Sequence, residues 1–145
     1  MKVYKSLILP IFTYCSILTS VYTKSFEEKL SRFERRSYHV IYNRLNVHDF
    51  SKASIKIIQK RKLCIQVFNC INGNVCSNFT NYFEVMSNNT RNANRLIRLP
   101  KVKIESAKKS FRFAGACEYN KLPITIRNAN STKEFIELYN KVFEI

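Results

Sequence analysis

The apolar residues of this chain recur mostly at the spacing of an α-helix, and this period constrains the fold more than any other feature of the sequence. The clearest segment is the last one, which opens with a capping box formed by Ser131 and Glu134. We predict a final helix there that packs one face on the body and carries no excess charge. Its apolar positions i, i+3, i+4, i+7 and i+8 are Phe135, Leu138, Tyr139, Val142 and Phe143.

Two earlier helices are predicted from an uncharged segment and from a second amphipathic stripe. Residues 6–22 carry no charge, so we expect a buried core helix that is kinked at Pro10. A capping box formed by Ser25 and Glu28 begins the next helix. One face of that helix is apolar, and the other carries the mixed charges of a solvated surface. The apolar stripe consists of Phe26, Leu30, Phe33, Ser37, Val40 and Ile41.

A third and longer helix is predicted over residues 52–72. Asp49 or Ser51 can serve as its N-cap, and Gly73 suits the left-handed residue just past its end. Residues 74–95 are rich in Asn, Ser and Thr, and they predict a short helical turn followed by a loop. This stretch is the best candidate for a linker in the chain.

Together these segments predict a mainly α fold, a small helical assembly of four or five helices with at most a short β-hairpin. The only place for such a hairpin is within residues 96–113, where Phe111 and Phe113 alternate with a basic residue as on a half-buried strand. A chain of 145 residues is long enough for one core. Within one compact unit we distinguish a helical region, residues 1–86, from a basic C-terminal segment that ends in a helix, residues 87–145.

The charge balance indicates a polyanion as the partner. The chain has 25 Lys and Arg residues against 10 Asp and Glu residues, which gives a net charge of +15. A surplus of this size on a small protein creates a persistent positive field. We therefore expect the backbone of RNA or DNA as the partner, and no small-molecule substrate.

The surplus charge is concentrated in two segments. Residues 50–73 hold five cations and no acid, and residues 91–127 hold ten cations and two acids. Phe111, Phe113 and Tyr119 are interleaved with the cations of the second segment, and they either stack on unpaired bases or pack in the core. The side chains predicted to bind nucleic acid are Lys60, Arg61, Lys62, Arg91, Lys108, Lys109 and Arg112.

The sequence offers few residues for catalysis or for metal binding. Asp49 is the single aspartate, whereas two-metal phosphoryl transfer needs several converging carboxylates. Neither histidine has a Ser, Cys or acid partner at catalytic spacing. Cys64, Cys70 and Cys76 follow one another at steps of six, which rotate successive thiols by about 240° on a helix. We therefore predict no enzyme activity, no metal site and no cofactor.

The five cysteines are an odd number without short paired spacing, which is typical of reduced thiols in an intracellular protein, nuclear or cytoplasmic. A small secreted or membrane-anchored basic protein is the alternative. It rests on residues 1–22, which have the outline of a signal peptide, and on sequons at Asn78, Asn88 and Asn130. Because this apolar stretch is interrupted by polar residues and falls short of the ~20 apolar residues of a span, we do not expect a membrane partner.

The most distinctive motif lies near the C-terminus. Residues 118–135 read EYNKLPITIRNANSTKEF, in which Asn-x-Leu-Pro is followed by two residues, Ile-Arg, a short spacer and Ser-x-x-x-Phe. Three segments precede it in order: YKSLILPIFTYCS (Tyr4 to Ser16), LSRFERRSYHVIYN (Leu30 to Asn43) and ASIKIIQKRKLCIQVFNCING (Ala53 to Gly73). The series resembles the thumb and post-thumb region of reverse transcriptases from non-LTR retrotransposons of the LINE or jockey type.

Two positions depart from the pattern of that family. Tyr119 stands where a Trp is expected, and Glu34 stands where members usually have Gln. The resemblance assigns structural roles to positions of the C-terminal motif, including the one where Tyr replaces Trp. These positions are Tyr119, Asn120, Leu122, Pro123, Ile126, Arg127 and Phe135.

The family catalyses RNA-directed DNA polymerisation, but its palm, with the catalytic carboxylates, would lie upstream of Met1. The resemblance therefore implies a truncated C-terminal remnant of the polymerase, which lacks the palm and keeps binding to RNA or an RNA/DNA hybrid. We do not expect it to polymerise. A host-co-opted RNA-binding module is a second hypothesis, because the charge and the aromatic content fit it equally well.

Overall fold

The computed structural model describes residues 4–14, 24–42, 54–79, 81–86 and 95–143, and the fold within them is mainly helical, as the sequence predicts. Four helices of ten residues or more dominate the described ranges, and the others are single turns. In chain order the elements are a π-helical turn (Tyr4–Ile8), α1 (Leu9–Thr13), α2 (Lys24–Tyr42), α3 (Ile55–Ile71), a 3₁₀ turn (Ser77–Phe79), α4 (Glu105–Lys108), α5 (Phe111–Asn120), α6 (Ile124–Arg127) and α7 (Thr132–Phe143).

The core is built around α3, which packs against both α5 and α7. Val67 and Phe68 of α3 are fully buried together with Tyr119 of α5 and Phe135 of α7. The Phe68 and Phe135 rings lie 4.6 Å apart between centroids, within the range in which aromatic pairs stabilise each other. One hydrophobic cluster therefore includes residues from both sides of residue 86.

The ends of α3 and α7 show which local signals determine helix boundaries. Gly73 has a φ of 72°, the left-handed conformation predicted just after α3. At the start of α7, the Ser131 hydroxyl accepts a hydrogen bond from the Glu134 amide at 3.2 Å. The Glu134 carboxylate in turn accepts one from the Asn130 amide at 2.8 Å. The predicted capping box is confirmed. The amide that donates to the Glu134 carboxylate belongs to Asn130, the residue before the N-cap.

Residues 96–113 form no hairpin, which the prediction of at most one allows, but the strand pattern at Phe111 and Phe113 is wrong. In that range the structure has helices α4 and α5, and the β pairing is an isolated antiparallel bridge between Val85 and Ile97. Phe111 and Phe113 lie on α5, because the Ser110 side chain caps this helix by accepting a hydrogen bond from the Phe113 amide. Alternation over three residues is too short to override that cap.

The N-terminal helix is less buried than expected. A π-helical turn precedes α1, and Pro10 lies in the first turn of α1, where its missing amide hydrogen is tolerated. Ile11 is 73% exposed and Leu7 and Tyr14 are also exposed, whereas Thr13 is buried. The expectation of a buried core helix is therefore wrong for residues 6–14, and residues 15–22 lie outside the described ranges.

The beginning of α2 also differs from the prediction. The helix already includes Lys24, so Ser25 lies inside it and is not its N-cap. Val40 was assigned to the apolar stripe, but it is 83% exposed, so the stripe does not reach the core over its whole length. Val40 near the end of α2 therefore lies in solvent, although the helical period places it on the apolar face.

The N-cap of α3 is Ser54, which precedes Ile55. The predicted caps Asp49 and Ser51 lie outside the described residues. Ser54 does not cap the helix with its own side chain, and the acceptor comes instead from Glu34 of α2. The start of α3 is thus stabilised by a contact from a distant part of the chain.

Candidate nucleic-acid interface

The predicted phosphate-binding side chains of α3 do not share one surface. Successive helical residues are rotated by about 100°, so three consecutive cations point in different directions. Lys60 pairs with Glu118 of α5 at 3.5 Å, and the Lys62 ammonium donates to the Thr13 carbonyl of α1 at 3.3 Å. Arg61 is half-buried, and its Nε is buried without a hydrogen-bond partner. These three residues therefore form no single cationic face.

The cations of the C-terminal half are placed closer together. Lys108 ends α4, and Lys109 and Arg112 flank the N-cap of α5, with all three side chains exposed. Lys101 and Lys103, which precede α4, are exposed as well. We name residues 101–112 the basic segment. It holds five cations against the single carboxylate of Glu105. Arg91 lies outside the described residues.

Within the basic segment, Lys108 has an acidic partner and Arg112 has an aromatic one. Lys108 pairs with Glu105, and this hydrogen bond lowers the pKa of the Glu105 carboxyl. The guanidinium carbon of Arg112 lies 5.7 Å from the centroid of the Tyr82 ring, a cation–π distance. The cation–π contact leaves the charge of Arg112 uncompensated and so available to a phosphate.

The aromatic residues that the sequence interleaves with these cations are mostly covered. Tyr119 is fully buried, and burial raises the pKa of its hydroxyl to about 12. Phe111 and Phe113 are half-buried, and Phe111 stacks on Tyr82 with 5.8 Å between centroids. Of the two alternatives, base stacking and core packing, Tyr119 therefore takes the second. The ring most exposed beside Tyr82 is that of Phe79, which the sequence analysis did not select.

Two arginines of the charged C-terminal half donate hydrogen bonds to backbone carbonyls. Arg127 is buried, and its Nε donates to the Leu122 carbonyl at 3.0 Å. Arg95 donates through Nη1 to the carbonyls of Arg127 and Ala129 at 3.2 and 2.8 Å. Both side chains contribute to the positive field of the protein, but they are committed to backbone acceptors.

The other residues of the C-terminal motif also lie in the core or position the backbone. The Asn120 amide group donates to the Ile97 carbonyl at 2.8 Å and accepts from the Ile97 amide at 2.9 Å. Leu122, Ile126 and Phe135 are buried. Pro123 is the N-cap of α6, where its lack of an amide hydrogen costs nothing.

A groove of about 330 Å³ lies between α2, α3 and α5. Its cations are balanced by neighbouring carboxylates, since Lys56 pairs with Glu27 at 3.3 Å and Lys60 with Glu118 at 3.5 Å. Burial disfavours the ionised Glu118, but the hydrogen bond from Lys121 and the charge of Lys60 outweigh it and lower its pKa. A groove with this charge balance does not attract phosphate.

Thiol and carboxyl groups form no reactive cluster in the described parts of the chain. No three His, Cys, Asp or Glu side chains among those residues lie close enough together to hold a metal ion. Burial raises the pKa of the Cys64 thiol to about 12, so this thiol is neutral at physiological pH. His39 is exposed on α2.

Comparisons of the chain with protein-family models, with curated proteins and with solved structures found no match. No helix in the described ranges is both long and apolar enough to cross a lipid bilayer. The function must therefore be argued from the chemistry of the surface.

Proposed function

We propose that this protein binds the phosphate backbone of RNA or of an RNA/DNA hybrid, and that it derives from the thumb and post-thumb region of a non-LTR retrotransposon reverse transcriptase. The derivation is supported by the order and spacing of the motifs in the sequence. The burial of Tyr119, Ile126 and Phe135 agrees with the structural roles that the resemblance gives them.

The basic segment is the observation that carries the proposal. Five exposed cations within twelve residues, with one carboxylate among them, form a local excess of positive charge. Elsewhere several lysines are neutralised, as in the groove, where Lys56 and Lys60 pair with glutamates. Release of counterions from phosphates favours binding at the surface with the largest local excess of positive charge.

As part of the same proposal, the 145 residues do not polymerise, and the protein acts inside the cell. The chain contains one aspartate, too few for two-metal catalysis. Cys64, Cys70, Cys76 and Cys117 are free thiols, which suit a reducing compartment.

Protection of lysines from acetylation tests the location of the phosphate contacts. The protein is labelled with an acetylating reagent in the presence and absence of a short RNA, and modified lysines are quantified by mass spectrometry. We expect bound RNA to slow the labelling of Lys101, Lys103 and Lys108. Lys29 and Lys133, which are exposed on α2 and α7, serve as controls. Equal protection of both groups would contradict a localised interface.

A further inference from the structure

Four aromatic rings form a connected group beside the basic segment. Tyr82 contacts Phe79 at 5.7 Å, Phe83 at 5.4 Å and Phe111 at 5.8 Å between ring centroids. Phe83 also contacts Phe111 edge-on at 5.4 Å. We name Phe79, Tyr82, Phe83 and Phe111 the aromatic patch.

The patch has a buried base and an exposed edge. Phe83 belongs to the core, Tyr82 and Phe111 are half-buried against it, and Phe79 is 42% exposed. Phe79 lies at the end of the 3₁₀ turn, where its amide bonds to the Cys76 carbonyl at 2.9 Å. The Phe79 ring is thus partly exposed to solvent, while the other rings of the patch pack against the core.

Cationic charge lies next to the aromatic patch at Tyr82. The Arg112 guanidinium lies over Tyr82, the same ring that Phe79 contacts. Lys108 is on the preceding turn and is exposed. An aromatic face flanked by cations matches the two halves of a nucleotide, because the base offers a π-face and the phosphate offers negative charge.

We propose that the aromatic patch binds an unpaired base of single-stranded nucleic acid. The base packs on the exposed ring of Phe79, and a neighbouring phosphate contacts Arg112. This inference rests on the proposed function and adds to it a preference for single strands, since a base inside a duplex has no free face to offer.

A tryptophan reporter tests the stacking directly, because the chain contains no Trp. Phe79→Trp places an indole in the patch, and Phe143→Trp places one at a matched position. Phe143 is 45% exposed and also packs on a tyrosine, Tyr139, at 4.5 Å. We expect oligothymidylate to quench the emission of the Phe79→Trp protein, and we expect neither quenching by an abasic strand of equal length nor quenching of the Phe143→Trp protein.

Binding measurements separate this inference from the proposed function. Phe79→Ala should weaken binding to oligothymidylate about fivefold and leave binding to the abasic strand unchanged. Phe143→Ala should change neither. If both strands bind equally and the indole at residue 79 is not quenched, stacking is excluded and backbone binding stands. If the parent protein binds a short RNA but neither of these strands, stacking is excluded. If it binds none of the three, the proposed function fails and the stacking fails with it.

Discussion

Glu34 connects two helices through a single carboxylate. It is 4% exposed, and it accepts hydrogen bonds from the Ile55 amide at 2.6 Å and from the Ser54 hydroxyl at 3.3 Å. Ser54 makes no side-chain cap of its own, so Glu34 satisfies an amide that would otherwise lack a partner at the start of α3. An amide oxygen could accept the same two bonds, which fits the Gln that the resembled family usually has here.

Substitution of Glu34 should reveal the cost of its charge. Burial raises the pKa of Glu34 above its ordinary value of 4.5, although the bonds from Ile55 and Ser54 act to lower it. The folded state therefore holds the proton more tightly than the unfolded state, so the contribution of this titration to stability is present at low pH and is lost as the pH rises through the raised pKa. Glu34→Gln does not titrate and should gain stability relative to the parent from pH 4.5 upward.

Urea unfolding at several pH values measures this difference. Glu34→Ala is the control, because it removes the acceptor and should lower the free energy of unfolding by about 1–2 kcal/mol. A constant difference between the parent and Glu34→Gln from acidic to neutral pH would contradict the assignment of the shift to this residue.

At the scale of elements, the close approach of α3 and α5 depends on a glycine. A Cβ added at Gly115 would lie 2.8 Å from Cγ2 of Val67, which is closer than real Cβ atoms approach their neighbours. Val67 is fully buried and cannot move into solvent. The missing side chain at residue 115 therefore sets the distance between the two helices at the centre of the core.

Gly115→Ala should destabilise the protein even though alanine favours a helix by about 1 kcal/mol. Overpacking at the contact with Val67 costs about 1–3 kcal/mol, so the net free energy of unfolding should fall. Combining it with Val67→Ala removes the clash, and the double variant should be less destabilised than the sum of the singles. A stabilised Gly115→Ala protein in thermal or urea unfolding would contradict this account.

The elements predicted correctly are those determined by neighbours in the sequence. The α7 capping box, the left-handed Gly73 and the C-terminal end of α3 all depend on residues within a few positions. Contacts over long separations could not be predicted, such as Glu34 with Ile55. A period of 3.6 residues indicates which face of a helix is apolar, but it does not indicate which element packs against that face.

The same limit applies to the candidate interface. Composition identified residues 91–127 as basic, but only tertiary structure shows that Arg95 and Arg127 bond to backbone carbonyls. The tertiary structure also shows that Lys60 and Lys62 lie on different surfaces, because Lys60 contacts α5 and Lys62 contacts α1. Phe79 and Tyr82, three residues apart in a polar stretch, gave a signal that could have been recognised as one aromatic face.

For the whole molecule, the net charge of +15 acts at long range and the basic segment acts at contact distance. Exposed charges are screened beyond about 8 Å at physiological salt, so a uniform excess mainly accelerates encounter. Specific loss of affinity should follow from changes at the basic segment. The effect of net charge can be separated from that of the basic segment, because the same number of charges can be removed elsewhere on the surface.

The absence of polymerase activity is a prediction for the purified 145-residue chain. Asp49 is the single aspartate of the chain, whereas nucleotidyl transfer with two metal ions needs several converging carboxylates. We expect no primer extension on an RNA or DNA template with Mg²⁺ or Mn²⁺. Extension that co-purifies with the protein through several columns would overturn this expectation.

The salt dependence of RNA binding tests the central claim most directly. One variant replaces Lys108, Lys109 and Arg112 by Gln, and a control replaces Lys29, Arg36 and Lys133 by Gln. Both changes remove three positive charges, so the net charge falls equally.

The slope of log K against log salt counts the phosphate contacts that release counterions. Because each lost contact lowers the slope by roughly 0.7–0.9, we predict a reduction of about 2–3 for the variant in the basic segment and little change for the control. An equal reduction for both variants would contradict a localised interface and would show that binding depends on net charge alone.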